Sequence, residues 1–314
     1  MRAVQLDTFG GPDVLHTVDR PRPEPQGTEV LVRVIAAGVN PVDWKTRAGQ
    51  AYLDSFPMTL GWDVSGVVEE LGVGVTRFSV GDEVFGLPRF PREAGGYAEY
   101  VTAPSRQLAR KPATMTHTEA AGLPLAGLTA WQVLVDAADV KAGDRVLIVA
   151  AAGGVGHLAV QIAKARGAYV IGTARSDKHD FVRNLGADEL IDYTAVNPAD
   201  VLDEIDILLD PVGGPFGDQL VSLIRPGGTL LPFAAEEQTL AAATRREVQV
   251  REVLVEPDGQ ALDELAHLVD TGRLRVLVER TWPLDAAAEA HRYGERGRTA
   301  GKLVLTVGSI GRSD

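Results

Sequence analysis

The residues whose types and spacing could do chemistry gather first at Ala151-Ala152-Gly153-Gly154-Val155-Gly156. Gly153 and Gly156 stand at the second and third glycine positions of a G-x-G-x-x-G pattern, with Ala151 in the first. A residue without Cβ at Gly153 lets the backbone approach a pyrophosphate, and Gly156 lets a helix pack closely on its strand. The amides at the start of that helix then meet the phosphate charge, with Gly154 and Val155 completing the loop. Taken alone, G-x-x-G is equally a structural glycine turn. A site of this kind carries an acid for the ribose hydroxyls about 20 residues further on. Here that stretch reads Gly172-Thr173-Ala174-Arg175-Ser176-Asp177-Lys178. A guanidinium at Arg175, assisted by Lys178, suits a 2′-phosphate by charge and donor geometry, which favours NADPH. Solvated helix-start charges, or Asp177 on a ribose, are the alternatives.

Other chemistries are excluded by composition. The chain has 314 residues and no cysteine, so disulfides, thiolate catalysis and Cys-based zinc sites are absent. Its six histidines are scattered, without metal-ligand spacing, and no metal is expected. A net charge of −12 would repel nucleic-acid phosphates, so no nucleic-acid partner is expected. The apolar stretch Ala120–Val135 is broken by Gly122, Pro124 and Gly127, too short for a membrane span. The N-terminus alternates like a strand and does not read as a signal peptide. A cytoplasmic protein that avoids the membrane is expected.

The glycine loop needs a strand before it and a helix after it. Arg145–Ala150 is an apolar run of the kind that forms a parallel strand buried on both faces. Val155, Leu158, Ala159, Ile162 and Ala163 then share one helix face, and Gly167 closes the helix. Strands are expected at 145–150, 169–174, 188–193, 205–211, 228–234 and 249–255, with helices at 154–166, 177–185 and 216–224 between them. That alternation predicts a doubly wound sheet with its ligand at the carboxyl ends of the strands.

The first hundred or so residues read differently. Short β-rich pieces alternate with turns, at Val4–Leu6, Glu29–Ala36, Val64–Leu71, Glu83–Leu87 and Tyr97–Thr102. Asn40 as cap and Pro41 at the first position open a short helix. A long helix is expected from Thr118 through Trp131 towards Ala137. An amphipathic helix at Asp258–Thr271, a strand at Leu274–Arg280, a helix near 285–294 and a strand at Lys302–Val307 return the chain to its first part.

Several motifs in this order resemble the medium-chain dehydrogenase/reductase superfamily, specifically its zinc-free quinone oxidoreductase branch. They are AAGVNPVDWKTRAG (36–49), LGWDVSGVVEELGVGVTRFSVGDEVFG (60–86), GGYAEYV (95–101), LPLAGLTAWQ (123–132), AAAGGVGHLAVQIAK (150–164), GADELIDY (186–193) and AGKLVL (300–305). The resemblance covers the whole chain. It implies an α/β fold: a Rossmann doubly wound parallel sheet inserted in a GroES-like antiparallel β catalytic domain. The expected domains are 1–122 catalytic, 123–263 cofactor-binding, and 264–314 returning to the first. Zinc-dependent relatives carry Cys where this chain has Asn40, and Gly-His-Glu where it has Gly61-Trp62-Asp63, and they add a lobe of four structural cysteines absent here.

The resemblance further implies that Asn40 faces the nicotinamide, that Thr129 contacts the cofactor, and that Lys302 lies near it. Strand ends add Thr173, Tyr193, the segment Asp210-Pro211-Val212-Gly213-Gly214, and Phe233. Asn40 as a plain helix cap, Phe233 as core and Lys302 as an exposed strand lysine stay open. Candidate catalytic groups are Asn40, Asp43 and Tyr52, although Asp43 could cap the helix or pair with Arg47, and Tyr52 could be a surface tyrosine. Without a metal, the chemistry favours acceptors already electrophilic by conjugation. The expected activity is NADPH-dependent reduction of a quinone or α,β-unsaturated carbonyl. An enoyl-thioester reductase and an NADPH-binding sensor without turnover are the alternatives. The run Val248–Val255 could pair across a sheet edge, so a homodimer is expected.

Overall fold

The structure, a computed structural model, describes residues 1–213 and 217–308. The chain forms two compact units, Met1–Leu128 with Glu256–Asp314, and Thr129–Val255. The compact-unit seams at 128/129 and 255/256 differ from the expected domain seams at 122/123 and 263/264, the second of which would fall within the helix Gly259–Asp270.

The first unit carries β1 (Arg2–Leu6), β2 (His16–Asp19), β3 (Glu29–Val39), α1 (Pro41–Arg47), β4 (Met58–Thr59), β5 (Val64–Leu71), β6 (Glu83–Gly86), β7 (Tyr100–Pro104), β8 (Leu108–Arg110) and α2 (His117–Ala121). Next comes α3 (Pro124–Trp131), which crosses the seam into the second unit and widens into a π-helical stretch, Gln132–Ala137. The single long helix expected from Thr118 is therefore broken. Gly122 caps α2, and Pro124 disfavours helical backbone at the residue before it.

The second unit continues with β9 (Arg145–Ile148), α4 (Gly156–Ala165), β10 (Tyr169–Thr173), α5 (His179–Arg183), β11 (Glu189–Ile191), β12 (Ile205–Asp210), α6 (Gly217–Val221), β13 (Ile224–Pro232), α7 (Glu237–Arg245) and β14 (Gln249–Val250). The return comprises α8 (Gly259–Asp270), β15 (Val278–Pro283), α9 (Ala287–Gly294) and β16 (Lys302–Thr306).

The second unit is the expected doubly wound sheet. Its six strands are parallel, in the order β11-β10-β9-β12-β13-β14. Val146, Leu147 and Ile148 of the central β9 are all fully buried, as a strand covered by helices on both faces requires. Strand order reverses between β9 and β12, and a ligand crevice belongs at their carboxyl ends. The sixth strand is shorter than expected, two residues instead of seven.

In the first unit an antiparallel sheet runs β16-β3-β5-β6-β8, with β7 also on β3 and β15 added parallel to β16. Leu303↔Val39 and Thr306↔Ala36 pairing explains why the last strand returns here. α8 belongs to this unit for a similar reason. A Cβ on Gly259 would stand 2.3 Å from the Arg106 carbonyl, so the helix start lies directly on the segment entering β8. The short strands β2, β4 and β8 escape sequence reading because two to four residues show too little alternation.

Candidate active site

In the Thr129–Val255 unit, the glycine loop follows β9 through Ala150, a non-glycine residue at φ +53°. The loop closes through Gly153 N–H to the Ala150 carbonyl at 2.8 Å. A Cβ on Gly156 would lie 2.2 Å from that carbonyl oxygen and 2.8 Å from Ala151 Cα. Only glycine lets α4 begin so close to the strand end. At Gly153 the same oxygen would be 3.1 Å from a Cβ. Residues 152–155 keep partial exposure, whereas Ala151 is fully buried.

Thr173 ends β10 as a brace. It is buried, and its hydroxyl accepts the Ala150 N–H at 3.2 Å while its carbonyl accepts Ala151 N–H at 2.9 Å. Arg175 and Lys178 lie on the following turn, where Arg175 is half-exposed and 3.5 Å from Asp177. The turn is fixed by a residue that sequence reading missed. Asp192, just past β11, accepts Ser176 N–H at 2.9 Å, Thr194 N–H at 2.9 Å and the Thr194 hydroxyl at 2.6 Å. Those donors hold its carboxyl well below the ordinary range, Thr194's hydroxyl foremost. The signal available was an acid at a strand end beside Tyr193.

Past the other strands the carboxyl edge is apolar and open. Tyr193 after β11 and Val212 after β12 are more than half exposed, and Phe233 after β13 is 37% exposed. Asp210 accepts Val212 N–H at 3.0 Å and Gly213 N–H at 2.9 Å, which fixes the turn beneath them. Phe233 N–H in turn donates to the Asp210 carbonyl at 3.1 Å. Gly214 and the helix start expected at 216 lie outside the described residues. Thr129 is buried at the unit's first residue.

In the other unit, Asn40 caps α1 from a buried position. Its backbone N–H donates to Asp43 Oδ2 at 2.7 Å, the capping contact expected from sequence. Its side chain is committed elsewhere. Asn40 Nδ2 donates to Asp63 Oδ2 at 2.8 Å, and Lys302 Nζ donates to Asn40 Oδ1. Lys302 Nζ also lies 3.7 Å from Asp63 Oδ2, and Leu125 N–H donates to Asp63 Oδ1 at 2.7 Å. The amide orientation is set by charge, with carbonyl to ammonium and NH2 to carboxylate.

Asp63, Asp43 and Lys302 are each no more than 3% exposed. Burial raises both carboxyl groups, Asp43 to about 7, and lowers the Lys302 ammonium. Attraction to Lys302 opposes the rise at Asp63. Lys302 is therefore a buried tether, not an exposed strand lysine. Arg47 does not pair with Asp43 as sequence allowed; it donates to the Gly10 carbonyl at 3.0 Å and to Glu295 at 2.5 Å. Asp63 was read only as a replaced ligand, and its partners 23, 62 and 239 residues away left no local signal.

Tyr52 is 51% exposed, edge-on to Phe90 at 5.4 Å between ring centroids. Phe90 meets Trp62 in the same way, at 5.4 Å. Trp62 is core, its indole N–H donating to the Arg92 carbonyl at 2.7 Å. Of the three candidate catalytic groups, only Tyr52 presents its side chain to solvent.

Comparison with known proteins gives consistent matches. A family model described as an alcohol dehydrogenase GroES-like domain matches residues 26–113, and one described as a zinc-binding dehydrogenase matches 185–305. The mitochondrial NAD(P)H oxidoreductase RTN4IP1 of Mus musculus is 35% identical over 89% of this chain and 82% of its own. The chloroplastic NADPH-dependent alkenal/one oxidoreductase of Arabidopsis thaliana is 35% identical over 97% of this chain and 79% of its own. The solved quinone oxidoreductase of Coxiella burnetii superposes with a TM-score of 0.92 at 38% identity, covering 98% of this chain and 99% of that one.

Zinc, named in one family description, does not fit these residues. The chain has no cysteine, and among the described residues no three His, Asp or Glu side chains gather to hold a metal. Asp63 is already satisfied by Asn40, Lys302 and the Leu125 N–H. A dinucleotide does fit, because the loop leaves no room for a Cβ at Gly156 and the adjacent turn carries Arg175 and Lys178.

Proposed function

Because the chain belongs to the medium-chain dehydrogenase/reductase superfamily, in its zinc-free, quinone-oxidoreductase-like branch, we propose that it catalyses NADPH-dependent, metal-independent reduction of a quinone or an α,β-unsaturated carbonyl. The observation that carries this reading is Asp63. Where zinc-using relatives place metal ligands, this chain has a closed set of Asp63, Asn40, Lys302 and a backbone amide.

The cofactor, when bound, supplies the hydride. The amides of Gly153 to Gly156 take its pyrophosphate, and Arg175 with Lys178 takes the 2′-phosphate. Tyr193, Val212 and Phe233 offer apolar surface along the carboxyl edge of the sheet. By the family resemblance Asn40 is assigned to the nicotinamide side, and within its own unit Lys302 and Asp63 hold its amide in one orientation. A conjugated acceptor spreads the incoming charge over its π system, so orientation replaces a Lewis acid. Asp43 is fully buried and acts on Asn40, whereas Tyr52 is exposed and can return a proton to a reduced acceptor. We assign a homodimer to the protein, from the sheet edge at β14 and the exposed Leu254 beyond it.

The test is absorbance at the NADPH band with chelator-dialysed protein, a quinone or an enone, and NADPH or NADH. Acceptor-dependent loss with NADPH, at least about tenfold faster than with NADH at equal concentration, is expected. Silence with both acceptors overturns the proposal. Activity lost on chelation and restored by zinc overturns its metal-free part.

A further inference from the structure

Gly153-Gly154 is the one peptide of the cofactor loop flanked by glycine on both sides, so no side chain limits its rotation. It is nevertheless held twice, and both times by one residue. His157, the second residue of α4, is fully buried. Its backbone N–H donates to the Gly153 carbonyl at 3.0 Å, and its ring Nδ1 lies 2.9 Å from the same oxygen. A carbonyl oxygen only accepts, and its two lone pairs take both contacts. His157 Nδ1 therefore carries a proton.

The direction of this hold matters to the loop. The Gly153-Gly154 peptide is trans, and in a trans peptide the N–H leaves on the side opposite the C=O. With the Gly153 carbonyl drawn towards α4, the Gly154 N–H turns away from the helix, to the side from which an anion meets a helix start. The amides of the loop divide accordingly. Those of Ala151 and Gly153 donate to the Thr173 and Ala150 carbonyls at 2.9 and 2.8 Å. Those of Gly154, Val155 and Gly156 have no acceptor among the described residues. Three unpaired donors thus follow one another, the first of them on the peptide that His157 holds.

We infer that His157 is a positioning residue for the cofactor: its ring N–H fixes the Gly153 carbonyl and so aims the Gly154 N–H at the phosphate. This rests on the assignment of the loop to the dinucleotide's pyrophosphate. The backbone donor is supplied by any residue at 157, but one bond leaves a diglycine peptide free to rock about the shared oxygen. The ring supplies the second bond, which orders the peptide before the ligand arrives and removes that cost from binding.

A buried histidine also fills space, and two amide variants separate donor from filler. In Asn the NH2 hangs from Cγ, as Nδ1 does in His, whereas in Gln it lies one carbon further out. Gln is closer to His in volume, so packing alone ranks Gln above Asn. The ring-donor role ranks them the other way.

Fluorescence titration of the full-length protein with NADPH reads the ranking. His157→Asn is expected to bind within about twofold of the wild type, and His157→Gln about 3–10-fold more weakly. The same loss is expected with NADH, because both dinucleotides carry the pyrophosphate. Unaltered affinity in His157→Gln, tighter binding by His157→Gln than by His157→Asn, or a loss confined to NADPH overturns the inference alone. A wild type that binds no NADPH overturns the pyrophosphate assignment, and the inference with it. Nitrogen NMR of sequence-assigned, 15N-histidine-labelled wild type needs no variant. A proton on His157 Nδ1 at neutral pH, with and without NADPH, is expected; a bare Nδ1 overturns the inference.

Discussion

Lys302→Met removes the one ammonium among the buried side chains of Asn40, Asp43 and Asp63 while keeping much of its volume. Two losses follow. Asn40 Oδ1 is left buried without its donor, a cost of about 1–3 kcal/mol. Asp63 keeps the Leu125 and Asn40 donors at 2.7 and 2.8 Å but loses its counter-charge. Breaking a buried pair from one side costs about 3–5 kcal/mol. Asp63 can escape that cost by taking a proton, so the penalty depends on pH. Its folded pKa, already raised by burial, rises further in the variant. A group with a raised folded pKa is stabilising when protonated, and that stability is lost as pH climbs through the folded value. The wild-type lysine adds to the difference in the same sense. Its lowered folded pKa makes the wild type gain stability with rising pH towards the unfolded value near 10.4. Calorimetric unfolding of both proteins from pH 5 to 8 should show a deficit of roughly 1–2 kcal/mol at pH 5, growing to about 3–5 kcal/mol at pH 8. A deficit that is constant over this range, or below about 0.5 kcal/mol throughout, would refute the tether.

The two loop glycines should fail differently. Gly156→Ala drives a Cβ to 2.2 Å from backbone oxygen, so it should lower unfolding free energy by about 1–3 kcal/mol, read by thermal melting; an unchanged midpoint would contradict the close helix approach. Gly153→Val meets that oxygen at 3.1 Å and should mainly weaken NADPH binding, by about tenfold or more in a fluorescence titration; unaltered affinity would unseat the loop as the pyrophosphate site. Arg175→Ala should raise the KM for NADPH by about 10–100-fold and leave that for NADH unchanged, and equal effects on both would remove the 2′-phosphate role. Asp43→Asn should change the pH dependence of stability. With a folded pKa of about 7 against roughly 3.9 unfolded, Asp43 stabilises below pH ~4 and loses that contribution by pH ~7. Urea midpoints of the wild type relative to Asp43→Asn should fall across that window; parallel curves would show Asp43 ionised throughout.

The second unit was legible because its signals are local. The apolar run 145–150, the glycines and the strand–helix alternation sit within a few residues of one another, and the observed β9, loop and α4 follow them closely. The α1 start was legible for the same reason, as Asn40, Pro41 and Asp43 make a cap within four residues. Long-range chemistry was hidden. Lys302 could equally have been an exposed strand lysine by sequence; its buried contacts with Asn40 and Asp63 arise from β16 pairing with β3, a register that no local pattern states. His291 read as a scattered histidine, and its partner Arg47 lies 244 residues away. Asp192 was masked by Tyr193, the more conspicuous neighbour, although the acid fixes the Arg175 turn. The long helix from Thr118 failed because apolar periodicity outweighed the Gly122 and Pro124 breaks in the reading, while the backbone obeys the breaks.

Hydride transfer from NADPH to a conjugated acceptor, without metal, is most directly tested by isotope. Chelator-treated protein would be given NADPH carrying deuterium at the transferring C4 position, in separate experiments for each face, together with an enone. Mass spectrometry of the reduced ketone should find one deuterium at the β-carbon from one labelled face and none from the other. Reduced product without deuterium from either face, or product formed only after zinc is returned, would contradict the account.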